Sequence, residues 1–236
     1  MNLILLFKDD FIPGTNMVHL DGRRLEHIQN VHRAAIGDTL TVGIENGKVG
    51  TGTITKLSDK FLEMDIAEEN EPPAPSHVNL ILALPRPKVI SRVILSASTL
   101  GIKKIWLVNA KRVEKSYWQS PRLSEENLNK QLVLGLEQSK DTIMPQIIKK
   151  PLFKPFVEDE LPEIMKGTLP LVAHPATVDS SPERSGRQIT LAIGPEGGFI
   201  PYEIEKLIEY GFTPFTIGER ILRVETVIPY IIGKLS

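Results

Sequence analysis

Cysteine is absent from this chain of 236 residues, which excludes a disulfide scaffold, a thiolate metal site and a cysteine nucleophile together. Long apolar runs are also missing. The opening residues MNLILLFKDDF carry a short apolar stretch with no basic flank and no small-residue cleavage site, so no signal peptide is expected. No window approaches the roughly 18 apolar residues that a membrane span needs. Net charge is close to nil, with 28 Lys and Arg against 29 Asp and Glu for a total of −1, so overall charge names no partner. A soluble globular protein is expected, and a reducing, cytoplasmic compartment is the simplest home for it.

Several chemical signatures are missing as well. The sequence has no GxGxxG, no GK[ST] and no GxSxG, which argues against a dinucleotide loop, a phosphate loop and a serine-hydrolase elbow. His27 and His32 stand five apart, about 140° round an α-helix, so they do not share the face that an i,i+4 ligand pair uses. No metal is expected.

What is present divides in two. Residues 68–76, EENEPPAPS, run from charged residues into three prolines and read as a linker. Before it, in residues 1–67, Leu62, Met64 and Ile66 alternate with Glu63 and Asp65 in the manner of a strand. Asn46-Gly47 signals a hairpin between Thr39–Ile44 and Lys48–Leu57. One helix, about Asp21 to Ala34, interrupts a small β-rich barrel or sheet. After the linker, in residues 77–236, apolar runs such as VNLILAL, IWLV, LPLVA and ITLAIG alternate with helical stretches, which predicts a parallel sheet covered on both faces. The helix after Pro87 places Ile90, Val93, Ile94 and Ala97 on one face, and the helix opened by Pro201 places Ile204, Leu207 and Ile208 on another.

The neutral total hides a local excess. Residues 81–122 hold nine Lys and Arg (Arg86, Lys88, Arg92, Lys103, Lys104, Lys111, Arg112, Lys115 and Arg122) against one acid, Glu114, a surplus of eight positive charges. Basic clusters neutralise phosphates, and Tyr117 and Trp118 beside Lys115 offer rings for unpaired bases. The alternative for this strip is a solvated helix face with a core tryptophan.

Three strand ends collect candidate ligands. TLAIGPEGGFIPYEIEKL reads as a buried strand, a glycine-rich turn at Gly194–Gly198 and a helix, and in an open parallel sheet ligands bind beyond the carboxyl ends of strands. The turn carries Glu196 where a phosphate cradle avoids an acid, so an adenosine ligand with a cationic centre fits better than ATP or a dinucleotide. LPLVAHP sets His174 where a second strand runs out, and FTIGERILRVETV places Arg220, Arg223 and Glu225 after a third strand at Phe215–Ile217. A surface pair between Glu219 and Arg223 is the plain reading of that segment. The functional one is an arginine fork on a carboxylate or phosphate, oriented by an acid.

IGPEGGF followed by GFTPFTIGERILRVET, over Ile193–Thr226, resembles the signature of the RsmE family, SPOUT-superfamily enzymes that methylate N3 of a uridine in small-subunit (16S) ribosomal RNA. LEHIQNVHRAAIGDTL is similar to that family's PUA-like N-terminal domain at Arg33, Gly37 and Asp38. LEQS (Leu136–Ser139) matches a further motif, and Arg112 sits where the family has an arginine after its second strand. Thr99, Lys140-Asp141 and Pro229 depart from the pattern.

The resemblance implies an α/β fold with a C-terminal trefoil knot, a homodimer, and S-adenosyl-L-methionine as cofactor. The cofactor would lie among Ala173, His174 and Pro175; Gly194, Glu196, Gly197 and Gly198; and Ile217, Gly218, Ile221 and Leu222. The RNA-facing set is Arg33, Arg86, Lys88, Arg92, Arg112, Lys115 and Arg220. Arg223 is expected to stabilise developing charge and contact RNA phosphate, with Glu225 orienting it. Two rival readings stand beside it: a non-catalytic RNA-binding or ribosome-assembly factor, and a nucleotide-dependent small-molecule enzyme that binds ATP or NAD and has no affinity for RNA.

Overall fold

The computed structural model describes residues 2–175, 177 and 186–235, which divide into two compact units. The first comprises residues 1–74 together with Val133–Met144, and the second Pro75–Leu132 with Pro145–Ser236.

The first unit is built on a five-stranded sheet of β1 (Ile4–Leu6), β2 (Met17–Leu20), β3 (Thr39–Ile44), β4 (Val49–Leu57) and β5 (Leu62–Asn70), in the order β1-β3-β4-β5-β2. The expected alternation holds in β5, where Leu62, Met64 and Ile66 join the core and Asp65 is exposed. Asn46 turns the β3–β4 hairpin at φ +56. β5 runs on to Asn70, so the strand takes in the first residues of the expected linker.

The expected single helix is two pieces. Helix α1 (Gly22–His27) passes into a π-helical turn over Ile28–His32, which closes at Arg33 in the left-handed region, φ +52. That turn overturns the α-helical spacing argument for the two histidines: its wider winding brings the rings of His27 and His32 edge to face, 5.2 Å between centroids.

The grouping of Val133–Met144 with this unit was not foreseen. Arg23 forks onto the buried Glu137 at 2.9 and 3.0 Å, and the backbone N–H groups of Asn2 and Leu3 donate to the Glu137 carbonyl. Leu136 packs with Leu3 and Leu5. Asn46 at the hairpin tip donates through its backbone N–H to the Thr142 carbonyl and accepts from the Met144 N–H. The LEQS motif thus has a structural role of its own.

The second unit holds a six-stranded parallel sheet in the order β11-β9-β10-β6-β7-β8. Its strands are β6 (Val78–Ala83), β7 (Lys104–Val108), β8 (Gln146–Lys150), β9 (Leu169–Ala173), β10 (Ile189–Ile193) and β11 (Thr213–Phe215). β10 is buried along its whole length, as a strand covered on both faces should be. Its one hydroxyl, Thr190, is satisfied by Thr168 at 2.9 Å. β8 escaped the sequence reading because an edge strand half in solvent shows neither an apolar run nor clean alternation.

The helices are α2 (Pro87–Thr99), α3 (Glu125–Ser139), the short α4 (Phe153–Pro155) and α5 (Leu161–Ile164) joined by a π-helical turn, α6 (Pro201–Glu209) and α7 (Val224–Leu235). Helix α2 buries Ile90, Val93, Ile94 and Ala97, the face anticipated for it. In α6 Ile204 and Leu207 are buried, whereas Ile208, expected on the same face, is 45% exposed. Among the described residues no helix is long and apolar enough to cross a membrane.

Register places the site. Ala173, Ile193 and Phe215 pair across β9, β10 and β11, and Ile193 also faces Leu82 of β6. Four strands therefore end at one level. Between β6 and β10 the connections diverge to opposite sides of the sheet, the switch point at which open α/β sheets hold ligands.

Candidate functional site

Beyond the ends of β9, β10 and β11 lies a cavity of about 220 Å3. Every residue expected at the cofactor lines it: Ala173, His174 and Pro175 after β9, Gly194, Glu196, Gly197 and Gly198 after β10, and Ile217, Gly218, Ile221 and Leu222 after β11. Arg220, expected to face RNA, lines it too. Ile193, Pro195, Phe199, Phe215, Val224 and Val227 complete the apolar wall. Sequence reasoning did not name them as site residues, although Val224 and Val227, three apart on the first turn of α7, carry a readable helical signal.

The 194–199 turn owes its glycines largely to its own fold. A Cβ on Gly194 would stand 3.0 Å from the Phe199 backbone nitrogen, and Gly198 sits at φ +74. A Cβ on Gly197 would meet Arg112 Cδ at 3.0 Å, so this position is closed by a neighbouring side chain. Arg112 Nη1 also donates to the Gly197 carbonyl. Glu196 Oε1 accepts the Arg86 backbone N–H at 3.0 Å. Both residues therefore tie the turn to neighbouring loops.

Glu203, read in the sequence only as part of the Pro201 helix, is 3% exposed and binds two backbone N–H groups, Ile200 at 2.9 Å and Lys111 at 2.6 Å. The detectable signal was its place three residues after the N-cap Ile200, where a Glu reaches back to the N-cap N–H.

The wall after β11 is more open. Ile221 is 86% exposed. Arg223 is exposed and directly precedes α7, where its carbonyl accepts the N–H groups of Thr226 and Val227. Glu225 lies 3.8 Å from Arg92 of α2, so α2 supplies a cation to the acid expected beside Arg223. Residues 219–223 are non-helical, which leaves the i,i+4 geometry of Glu219 and Arg223 without a helix.

Arg86, Lys88, Arg92, Arg112 and Lys115 are all exposed. Tyr117 and Trp118 are half-buried and already engaged, Tyr117 donating to Glu114 at 3.0 Å and Trp118 to Asn109 at 3.0 Å. Burial and Glu114 hold the Tyr117 hydroxyl above its usual range. Arg33 lies in the first unit, exposed at the end of the π turn. Burial pushes the His174 imidazole below its usual range, so it faces the cavity neutral at pH 7. Among the described residues no group of three or more His, Asp and Glu side chains is arranged to hold a metal.

The donor set suits an adenosine ligand without a phosphate anchor. An aromatic and aliphatic wall can cover a purine, backbone groups of the three turns can read its edge, and among the described residues Arg220 is the one Lys or Arg that lines the cavity.

Comparison with known proteins agrees with this chemistry. A model of the RNA methyltransferase domain matches residues 72–236, and one of the RNA methyltransferase PUA domain matches residues 20–66. The chain is 29% identical over 231 residues to the ribosomal RNA small subunit methyltransferase E of Treponema pallidum, covering 96% of this chain and 87% of that protein. It is 27% identical to the ribosomal RNA small subunit methyltransferase E 1 of Borreliella burgdorferi, covering 96% and 93%. Among solved structures, the fold resembles a ribosomal RNA small subunit methyltransferase E from Neisseria gonorrhoeae bound to S-adenosyl methionine. The TM-score is 0.75 at 22% identity, covering 98% of this chain and 95% of that one. It also resembles a methyltransferase from Legionella pneumophila in complex with the cofactor SAM, with a TM-score of 0.77 at 22% identity, covering 99% and 96%.

Proposed function

Because the chain belongs to the RNA methyltransferase domain family, we propose that it methylates N3 of a uridine in 16S ribosomal RNA of the small subunit, using S-adenosyl-L-methionine. One observation carries the reading: eleven residues from three separate sequence segments meet in one cavity beyond the ends of β9, β10 and β11. The names of the bacterial relatives support the small ribosomal subunit as target.

The cofactor supplies an electrophilic methyl on a sulfonium. The protein's own work is then positioning and charge. Ala173–Pro175, Gly194–Gly198 and Ile217–Leu222 hold the adenosine and aim the methyl, which lowers the entropic part of the barrier. Uridine N3 carries its proton at neutral pH, so the site must favour the anion as the methyl arrives. Arg223, exposed beside the cavity-lining Leu222 and Val224, stabilises that developing charge and contacts RNA phosphate. Glu225, on the first turn of α7 and 3.8 Å from Arg92, would have to exchange that partner to orient Arg223. The exposed cations Arg86, Lys88, Arg92, Arg112 and Lys115, with Arg33 and Arg220, bind the RNA backbone.

Two further features belong to the same proposal. The C-terminal part forms a trefoil knot, a reading supported by the return of α7 from the edge strand β11 to the middle of the unit, where Glu225 meets Arg92 and the Leu235 carbonyl meets His77 at 3.1 Å. The protein acts as a homodimer, supported by the exposed Ile221 at the cavity and Tyr230 on α7, and in the cytoplasm, supported by the ribosomal RNA named for its relatives.

The test is incorporation of labelled methyl from S-adenosyl-L-methionine into small-subunit RNA, followed by nucleoside analysis. N3-methyluridine is expected. No label in either naked RNA or assembled subunits, or label on ribose or carbon, overturns the assignment.

A further inference from the structure

The acid of a first helical turn ordinarily lies in solvent, where it needs only the helix dipole to be favourable. Glu203 is instead buried, and one of its two oxygens is committed outside its helix. Oε2 takes the N–H of Ile200, the residue at which the glycine-rich turn becomes α6; Oε1 takes the N–H of Lys111, in the basic loop after β7. A single carboxylate therefore fastens the turn to the main chain that carries Arg112. Arg112 closes the circuit from the other side by donating to the Gly197 carbonyl and packing its Cδ over that residue. Moving the stretch from Gly197 to Ile200 must move residues 111 and 112, and the reverse holds equally.

We infer that Glu203 is a positioning residue that couples the cofactor turn to the RNA-facing loop, so that each ligand strengthens binding of the other. The inference rests on the proposed reading of the cavity and the basic strip. A ligand that orders the turn at 194–199 fixes the main chain at Lys111 and aims the Arg112 guanidinium; RNA that engages the loop at 111–112 settles the turn for the cofactor. Such coupling is reciprocal by thermodynamic necessity. A glutamine in place of Glu203 keeps the shape and loses the circuit, because one of its two terminal groups is a donor and faces an N–H.

The experiment measures the affinity of the full chain for a small-subunit RNA transcript with and without saturating S-adenosylhomocysteine. In the unaltered protein the nucleoside should tighten RNA binding about fivefold or more, the lower end of common coupling strengths. In Glu203→Gln the ratio should fall to near one while each ligand still binds. A merely structural role would lower the melting temperature and leave the ratio intact, and that result overturns the inference. If Glu203→Gln does not fold, Glu203→Asp keeps the charge on an arm one methylene shorter that loses the reach to Lys111, and an unchanged ratio there overturns it as well. A ratio of one in the unaltered protein, with both ligands bound, refutes the coupling alone; failure of S-adenosylmethionine to bind at all refutes the reading beneath it.

Discussion

Two walls of the same cavity are made by opposite means. The turn after β10 is fixed from within by Gly194 and Gly198 and from without by Glu203, Arg112 and Glu196, each bonded to backbone. The segment after β11 is held by local bonds such as that between the Gly218 N–H and Thr216 Oγ1, and it leaves Ile221 almost wholly in solvent. The first wall is pre-organised and the second is open. Groups tied in this way leave less to order when the ligand arrives, and what ordering remains is passed to the loop at 111–112, so the closed wall should set cofactor affinity. The open wall is free to respond to a second ligand, and it leads into Arg223, the arginine proposed for catalysis.

The largest effect should come from breaking the closed wall from inside. Gly194→Val drives a side chain against the Phe199 nitrogen, and we expect cofactor affinity measured by calorimetry to fall by about 100-fold or more, on the order of 3 kcal/mol. Affinity within threefold of the original would show that this turn is not the rigid element.

Next in size is Arg223→Ala in the open wall. Methyl transfer, read as kcat/KM, should drop about 100-fold while the cofactor Kd stays within about twofold, because the interaction develops mainly in the transition state. Equal losses in both quantities would make Arg223 a binding residue and erase the contrast between the walls.

How much of this contrast could be read from the chain depends on which atoms make it. The parallel sheet, the hairpin at Asn46 and the three strand-end loops follow from apolar runs and turn residues, which are local signals. The cap that Glu203 makes on Ile200 is local and could be read, but its tie to Lys111 and those of Arg112 and Glu196 were not legible, since each reaches a backbone group far off in sequence and the backbone has no letter of its own. The π turn before Arg33 was equally hidden, because winding by five residues in place of four leaves no mark in an apolar pattern. The pairing of Glu137 with Arg23 joins residues 114 apart in the chain, and the LEQS motif flagged the position without giving its reason.

A smaller effect sharpens the comparison. Ile221→Ser should weaken cofactor binding to an isolated subunit by no more than about threefold, as a side chain 86% exposed has little apolar area to lose. A larger loss that disappears on dilution would mean that a second copy covers Ile221, and light scattering across the same concentration range would report it.

The smallest effect concerns acid. Burial depresses the folded-state pKa of both His174 and His27 from 6.5. Above that pH both states are neutral and nothing changes; as pH falls below it the unfolded chain takes up protons that the folded one refuses, so stability is lost down to the depressed folded value. Denaturant melts between pH 7.5 and about 5.5 should show this decline, and His174→Asn should flatten part of it. An unchanged slope in that variant would place the decline elsewhere.

The partition of the chain bears on how it is made. The first unit needs Val133–Met144, because Leu136 completes the apolar cluster around Leu3 and Leu5, Glu137 receives Arg23, and Thr142 and Met144 cap the hairpin tip. A ribosome releasing the chain from its amino end therefore emits β1 to β5 well before their last partners exist. The amino-terminal strands must wait, with Leu3 and Leu5 uncovered, through the synthesis of β6, α2, β7 and most of α3. A nascent chain arrested just before residue 133 should be far more open to protease near its amino end than one arrested beyond residue 144 by enough length to clear the exit tunnel.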